Sequence, residues 1–216
     1  MKNIPVFTTG HGAASLILKE IPYRREAFIH MQDTLAPCAL LAECFDFCRA
    51  CGAERVFATG NDYLERFRLH TAMWEMSGSM DPDPEQTDNL WPVTEQTVSR
   101  WREIYNRRMG RVDNAGTLEA RDEKRILESG SAYFVHQSGE LLGIGWLIDD
   151  RLECVAAVRR GAGDRVLRTL LSTCPNRMMH LTVASTNDPA ISLYERNGFL
   201  KVREISRWYE VKKDQM

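Results

Sequence analysis

The chain has 216 residues, 44% hydrophobic and 27% charged, with a formal net charge of −2. That is the balance of a soluble globular protein with room for one large domain or two small ones. It excludes two partners at the outset. There is no concentrated basic surface of the kind nucleic acid selects, and no apolar run near the ~20 residues a membrane span needs. The Arg107, Arg108 and Arg111 group reads as a solvated helix face. Near the N-terminus the apolar stretch after Lys2 is broken by Pro5, too short for a secretory leader, so cytoplasmic residence is expected.

In chain order, Ser15–Ile21 and Glu26–Met31 are expected as paired strands around Pro22-Tyr23-Arg24. A helix follows at Leu40–Cys51, a strand at Arg55–Thr59 and a helical stretch at Tyr63–Arg68. Cysteines stand at 38, 44, 48, 51, 154 and 174, and a reducing compartment leaves them free. Cys44-x3-Cys48-x2-Cys51 has the spacing that radical-SAM enzymes use for an iron–sulfur cluster. Here it lies within a helix, where Leu41, Cys44, Phe45, Cys48 and Cys51 share an apolar face. Free cysteine acts there as a small hydrophobe.

Ser77–Asn89, rich in Ser, Gly, Pro and acids, reads as a linker. The expected organisation is an N-terminal α/β region at 1–76, a linker at 77–89 and a domain at 90–216. The domain begins with helices at Glu95–Arg108 and Thr117–Glu128, the second stopped by Gly130. Ala132–Gln137 and Leu141–Ile148 form a hairpin around Ser138-Gly139, and Leu152–Val158 is a third strand. A helix at Gly161–Thr173, a strand at Met178–Ala184, a helix at Asp188–Asn197 and closing strands over Phe199–Val211 complete it. The order ααβββαβαβ is an α/β arrangement around a mixed sheet. Arg55–Asn61 and His180–Asn187 rhyme: each is a short strand ending in small polar residues and Asn, followed by Asp and a helix. The N-terminal region is thus readable as a degenerate half-copy of the C-terminal one.

The most informative stretch is Val183–Phe199. Asn187 or Asp188 caps a helix, Pro189 fits its first turn and Gly198 fits the left-handed position past its end. Asn187, Ala190, Leu193, Tyr194, Gly198 and Phe199 together match Asn-x-x-Ala-x-x-Leu-Tyr-x-x-x-Gly-Phe. In this the sequence resembles the GNAT (GCN5-related N-acetyltransferase) superfamily over roughly Trp91–Val211. The resemblance implies the acyl-CoA N-acyltransferase fold, acetyl-CoA as co-substrate with no metal, and a small-molecule or peptide amine as acceptor. It leaves a homodimer open.

Val158-Arg159-Arg160-Gly161-Ala162-Gly163 lies between strand and helix. A helix N-terminus offers free N–H groups, and glycine lets a phosphate approach them. The resemblance makes this the loop for the CoA pyrophosphate. Val158 stands where the family has Gln or Arg. Arg159, Arg160 and Arg165 supply positive charge, whereas Asp164 in the first turn opposes it. The backbone of Ala156, Ala157 and Val158 is expected to pair with the pantetheine arm.

Amide formation needs a neutral amine, and an ammonium of pKa about 10.4 pays ~4–5 kcal/mol near pH 7 to become one. A general base can take that proton, and the departing thiolate needs a donor. By resemblance Tyr194 is that donor, and Asn187 contacts the cofactor or a water. Glu153, on the strand lining the cleft, is the expected base, with Asp149, Asp150 and His180 as rivals. The expected function is acetyl transfer to a primary amine by direct attack. The alternative is a catalytically weak CoA-binding or regulatory module. The N-terminal region lacks both motifs and is expected to bind no CoA.

Overall fold

The computed structural model describes residues 5–32, 34–79, 88–174 and 177–216. Contacts divide the chain into one unit of residues 1–73 with 204–216 and another of residues 74–203.

The first unit opens with a hairpin of β1 (Val6–Thr9) and β2 (Gly12–Ile17). One helical turn, α1 (Ile21–Arg24), leads into β3 (Glu26–Met31), which pairs antiparallel with β2. The expected strand pair is therefore present, but the residues around Pro22 are helical. Proline sits in the first turn, where its missing N–H costs nothing. Next come α2 (Pro37–Ala50) and β4 (Arg55–Thr59), which runs parallel to β3. A 3-10 turn at Asp62–Arg66 follows. Leu40, Leu41, Cys44, Phe45 and Cys48 of α2 pack on Leu16, Ile29, Val56 and Val211 to form the core. Each fully buried large side chain among them contributes about 1.5–3 kcal/mol. Cys51 departs from the expected apolar face: it is exposed, as the residue ending the helix. The other face of this sheet carries rings. Phe28 stacks on Phe57 at 5.3 Å, Phe57 on His70 at 4.2 Å, and Trp208 meets Phe28 edge-on at 5.5 Å.

The strand β5 (Arg68–Gly78) passes from the first unit into the second. Its burial does not alternate cleanly, which hid it from a period-2 reading. Of the expected linker, residues 80–87 lie outside the described residues; Ser77 and Gly78 end β5, and Asn89 begins the edge strand β6 (Asn89–Pro92). The helix α3 (Val98–Met109) is followed by a 3-10 turn at Ala120–Asp122 and α4 (Glu123–Ser129). Glu119 and Asp122, rather than Thr117, start this second helical segment through a reciprocal capping box. The meander of β7 (Ala132–Gln137), β8 (Glu140–Ile148) and β9 (Arg151–Ala157) then forms as expected. Its first turn uses Ser138 and Gly139, both at positive φ.

After β9 come α5 (Gly163–Leu171), β10 (Met179–Ala184), α6 (Asp188–Arg196) and β11 (Leu200–Val211). The strand order of the second unit is β5-β10-β9-β8-β7-β6. In the first unit the end of β11 adds to β4, with Tyr209 opposite Ala58. One face of the second unit's sheet packs Trp101, Ile104 and Ile126 against Trp146, Ile144 and Phe134. The other seats α5 through Val166 and Leu170 on Val135 and Leu142. That seating depends on two glycines of β8. A Cβ at Gly145 would lie 2.0 Å from Leu170 Cδ1, and one at Gly143 would lie 2.6 Å from the Ala156 carbonyl. Among the described residues, no helix is long and apolar enough to cross a membrane.

Candidate active site

The site is built from two parallel neighbours that part company. Pairing of β9 with β8 runs from Ile148↔Arg151 to Gly143↔Ala157. With β10 it shares a single register position, His180↔Arg151, reinforced by the His180 N–H donating to the Asp150 carbonyl at 2.8 Å. Beyond that junction, Val155–Ala157 have no register partner on β10 among the described residues. The cause is visible in the register of β9. Leu152 faces Leu147 and Cys154 faces Trp146, so Glu153 is an extra residue without a counterpart. Such a bulge bends its strand and increases its twist. The two strands thus form a fork whose apex is Arg151 and His180. Across the apex, Arg151 donates to the Thr182 hydroxyl at 3.2 Å.

At the open end of β9 lies the Val158–Asp164 segment. The Val158 and Arg159 N–H groups both donate to the Leu142 carbonyl, and the Ala162 N–H donates to the Arg159 carbonyl. Those bonds fold Arg159–Gly161 into a turn, so α5 begins at Gly163 rather than Gly161. Gly161 sits at φ +82, a conformation that favours glycine. Nothing lies within 4 Å of where its Cβ would be, and a Cβ at Gly163 would touch only Leu193, at 3.5 Å. The first-turn N–H groups of α5 are therefore approachable, as an anion needs. Of the charges around them, Arg159 pairs with Glu140 and Arg165 with the buried Asp88. Asp164 accepts from Arg168 and from Asn197 Nδ2, each at 2.7 Å. Partial burial is the largest single influence and raises its carboxyl, but Asn197, Arg168 and nearby Arg196 together outweigh it and hold the carboxyl below the usual range. Among the described residues Arg160 has no ion-pair partner, and it is exposed.

At the open end of β10, Asn187 caps α6: its Oδ1 accepts from the Ala190 N–H at 3.4 Å. The helix ends at Gly198, φ +84. Tyr194 is buried against Phe199, with ring centroids 5.9 Å apart. Burial, then the Cys154 thiol, pushes its hydroxyl well above the ordinary tyrosine range. Cys154 lies on β9 and Tyr194 on α6, so the two groups that influence each other belong to opposite arms of the fork. Burial likewise raises that thiol, aided by Glu153.

Glu153, on the bulge just past the apex, lies 3.6 Å from Arg151 and 4.0 Å from Arg125. Its carboxylate is thus shared between two guanidinium groups, and the Arg125 group also covers the Trp146 ring at 4.6 Å. Asp149 and Asp150 form the exposed turn joining β8 to β9, and His180 lies at the apex. Tyr194, Asn187 and the Gly161–Gly163 turn flank the open end; Glu153, His180, Asp149 and Asp150 stand at or beyond the closed end.

Several contributors were not legible from the sequence. Arg125 and Arg151 hold Glu153, Asn197 joins α6 to α5, and Asp88 engages Arg165. The loop after α3 is tied by Asn106, which bonds both the N–H and the carbonyl of Leu118 at 2.9 Å. Asp113 of that loop accepts from Thr186, beside Asn187, at 2.6 Å. No spacing rule links any of these partners. Cys44 and Cys48 are buried and Cys51 is exposed, and among the described residues no group of three or more such side chains could hold a metal.

The chain matches the family model described as the acetyltransferase (GNAT) family over residues 90–199, just over half its length. It belongs to the GNAT acetyltransferase family. The matched span holds the whole fork and the α5 and α6 termini. No curated protein matches the chain in sequence. Solved structures share its fold at low identity. A GCN5-related N-acetyltransferase from Sphaerobacter thermophilus aligns at 14% identity and TM-score 0.58, covering 92% of this chain and 76% of that one. A functionally unknown conserved protein from Staphylococcus epidermidis ATCC 12228 aligns at 9% identity and TM-score 0.59, covering 99% and 95%. A GNAT-family acetyltransferase from Colwellia psychrerythraea aligns at 14% identity and TM-score 0.52, covering 94% and 81%. The mixed α/β GNAT fold expected from the sequence is the fold observed.

Proposed function

We propose that this GNAT-family protein transfers an acetyl group from acetyl-CoA to a primary amine by direct attack. The observation that carries the reading is the fork: one shared register position between β9 and β10, with an approachable helix N-terminus at its mouth. Acetyl-CoA bound there would supply the activated acyl carbonyl and a thiol leaving group. The unpaired edge of Val155–Ala157 can hydrogen-bond an extended, amide-bearing arm as a missing strand would. The first turn of α5, with Arg160, can hold its phosphates.

In the reaction, a C–N bond forms at the acyl carbon, the C–S bond breaks, and one amine proton must leave. Tyr194 stays protonated at any physiological pH, because burial raises a group already near 10. Its O–H would therefore stabilise the departing sulfur as a hydrogen-bond donor. Full proton transfer would run uphill, since an ordinary thiol has pKa about 8.5. Glu153 is the proposed proton acceptor, acting through water, with its carboxylate oriented by Arg151 and Arg125. The test is thiol release from acetyl-CoA with a panel of primary amines. Amine-dependent release is expected, and its absence across the panel sinks the reading.

A second reading, CoA binding without turnover, draws on the arginines. Arg159 and Arg165 are committed to Glu140 and Asp88, and Asp164 adds a carboxylate at the helix start. Thermal stabilisation by acetyl-CoA without thiol release would favour it.

A further inference from the structure

Asn197, the residue that ends α6, is only 5% exposed. Its Nδ2 donates twice, to Asp164 Oδ1 at 2.7 Å and to the Leu193 carbonyl at 2.8 Å. Both partners are acceptors, which fixes the orientation of the amide. Its Oδ1 is then left buried without a hydrogen-bond partner. Such an atom costs free energy that an apolar side chain in the same space would avoid. Ending the helix does not require it. The backbone N–H groups of Asn197, Gly198 and Phe199 already donate to the Tyr194 and Glu195 carbonyls. The Leu193 bond anchors the amide on α6, and what the side chain adds is the bond across to α5.

Asp164 is the acid in the first turn of α5, where the N–H groups are approachable beside Gly161 and Gly163. An acid at a helix start ordinarily accepts from those N–H groups and lends its charge to the positive end of the helix. A phosphate bound there would use the same donors. In this protein both carboxylate oxygens are engaged elsewhere, Oδ1 by Asn197 and Oδ2 by Arg168 Nε, each at 2.7 Å. Among the described residues, no N–H of the turn donates to them. Leu193, which anchors the Asn197 amide, also lies 3.5 Å from the Cβ position of Gly163. The end of α6 and the start of α5 therefore meet beside the mouth of the fork.

We infer that Asn197, provided the fork binds acetyl-CoA as proposed, is a positioning residue for the cofactor phosphates. Together with Arg168 it holds the Asp164 carboxylate against α6, which keeps the first-turn N–H groups of α5 for the pyrophosphate. Released from Asn197, the carboxylate competes with phosphate for those donors and repels it by charge. Asn197 itself acts only through Asp164.

Isothermal titration of the full chain with acetyl-CoA, alongside thermal melts, tests it. Asn197→Ala should bind about three- to tenfold more weakly than the wild type. Adding Asp164→Asn to that variant should return the affinity to the wild-type value, because the competing charge is gone. The melting temperature should stay lowered, because the buried contact is still missing. A merely structural role would leave affinity and melting temperature lowered together. Arg168 is partly exposed, so Arg168→Ala removes the other hold without disturbing the packing of α6. It should weaken binding about threefold, and Asp164→Asn should restore that loss as well. Two results overturn the inference: Asn197→Ala and Arg168→Ala both binding as tightly as the wild type, or Asp164→Asn restoring neither. Failure of the acetyl-transfer reading looks different. Wild type that binds no acetyl-CoA removes both, whereas binding without thiol release removes only the transfer and leaves the order of the variants intact.

Discussion

A strand, a helix and a parallel strand occur twice in this chain, as β3-α2-β4 and as β9-α5-β10. In the first, the strands stay zipped over five positions, Glu26↔Arg55 to His30↔Thr59. In the second they share one. The difference lies in single residues rather than in overall pattern. β9 carries a bulge at Glu153, which bends it off β10, whereas β3 and β4 are in even register. α5 starts from a Gly-x-Gly turn and beds against Gly143 and Gly145, whereas α2 starts from Ala36-Pro37 and packs through leucines and cysteines. A zipped pair satisfies its own backbone, while an opened pair leaves donors and acceptors for a ligand. The same supersecondary unit is thus closed along its strands in one case and open in the other.

The largest break in this comparison should come from Gly145→Val. Its Cβ would enter the space of Leu170, so α5 lifts from β8. A loss of about 3 kcal/mol is expected, roughly 10 °C in a thermal melt, with acetyl-CoA binding lost. An unchanged melting temperature would show that α5 is not seated as described. Next, Tyr194→Phe should lower the maximal rate ~10–100-fold with little change in CoA affinity. Because burial holds the phenol protonated, the ratio of wild-type to variant rates should stay flat from about pH 6 to 9. A ratio that titrates in that window assigns the loss to another group.

Arg160→Ala should weaken CoA binding about tenfold by titration, and Arg159→Ala by less, since Glu140 already holds Arg159. The reverse order would place the phosphates elsewhere on the turn. The two asparagine caps offer a paired test. Asn61 caps the turn after β4, accepting from the Tyr63 N–H at 2.9 Å, as Asn187 caps α6. Each Asn→Ala change should cost about 1 kcal/mol of stability, but only Asn187→Ala should alter the KM for acetyl-CoA.

The smallest effect at neutral pH belongs to the cysteines of α2. Burial pushes Cys48 up to about 12 and Cys44 up to about 11. Both folded values lie above the unfolded thiol, so their contribution is complete below about pH 8.5 and declines as pH rises toward 11–12. The slope should approach ~1.4 kcal/mol per pH unit for each thiol. Cys48→Ala should flatten it in alkaline urea melts without changing the acetyl-transfer rate, and an unflattened slope would assign the alkaline loss to other groups.

Much of this was legible in advance because it is local. Hydrophobic periodicity located α2, α3, α5 and α6, and turn chemistry located the β7–β8 hairpin and the end of α6. The Asn187–Phe199 string carried the family before any contact was known. β5 escaped because a strand without alternating burial has no period to detect. The register bulge at Glu153 also escaped, since an unpaired residue is defined only by the partner strand it fails to face.

By itself, then, the sequence determined most of the elements and the family they build, because those properties follow from neighbours in the chain. Only the tertiary structure decided that β9 and β10 part after one pairing. It alone showed that Arg159 and Arg165 are already engaged while Arg160 has no ion-pair partner among the described residues, and that Glu153 sits between Arg125 and Arg151. It also brought Asn197 to Asp164. Charge compensation and strand separation arise between residues far apart in sequence, and only the fold brings such residues together.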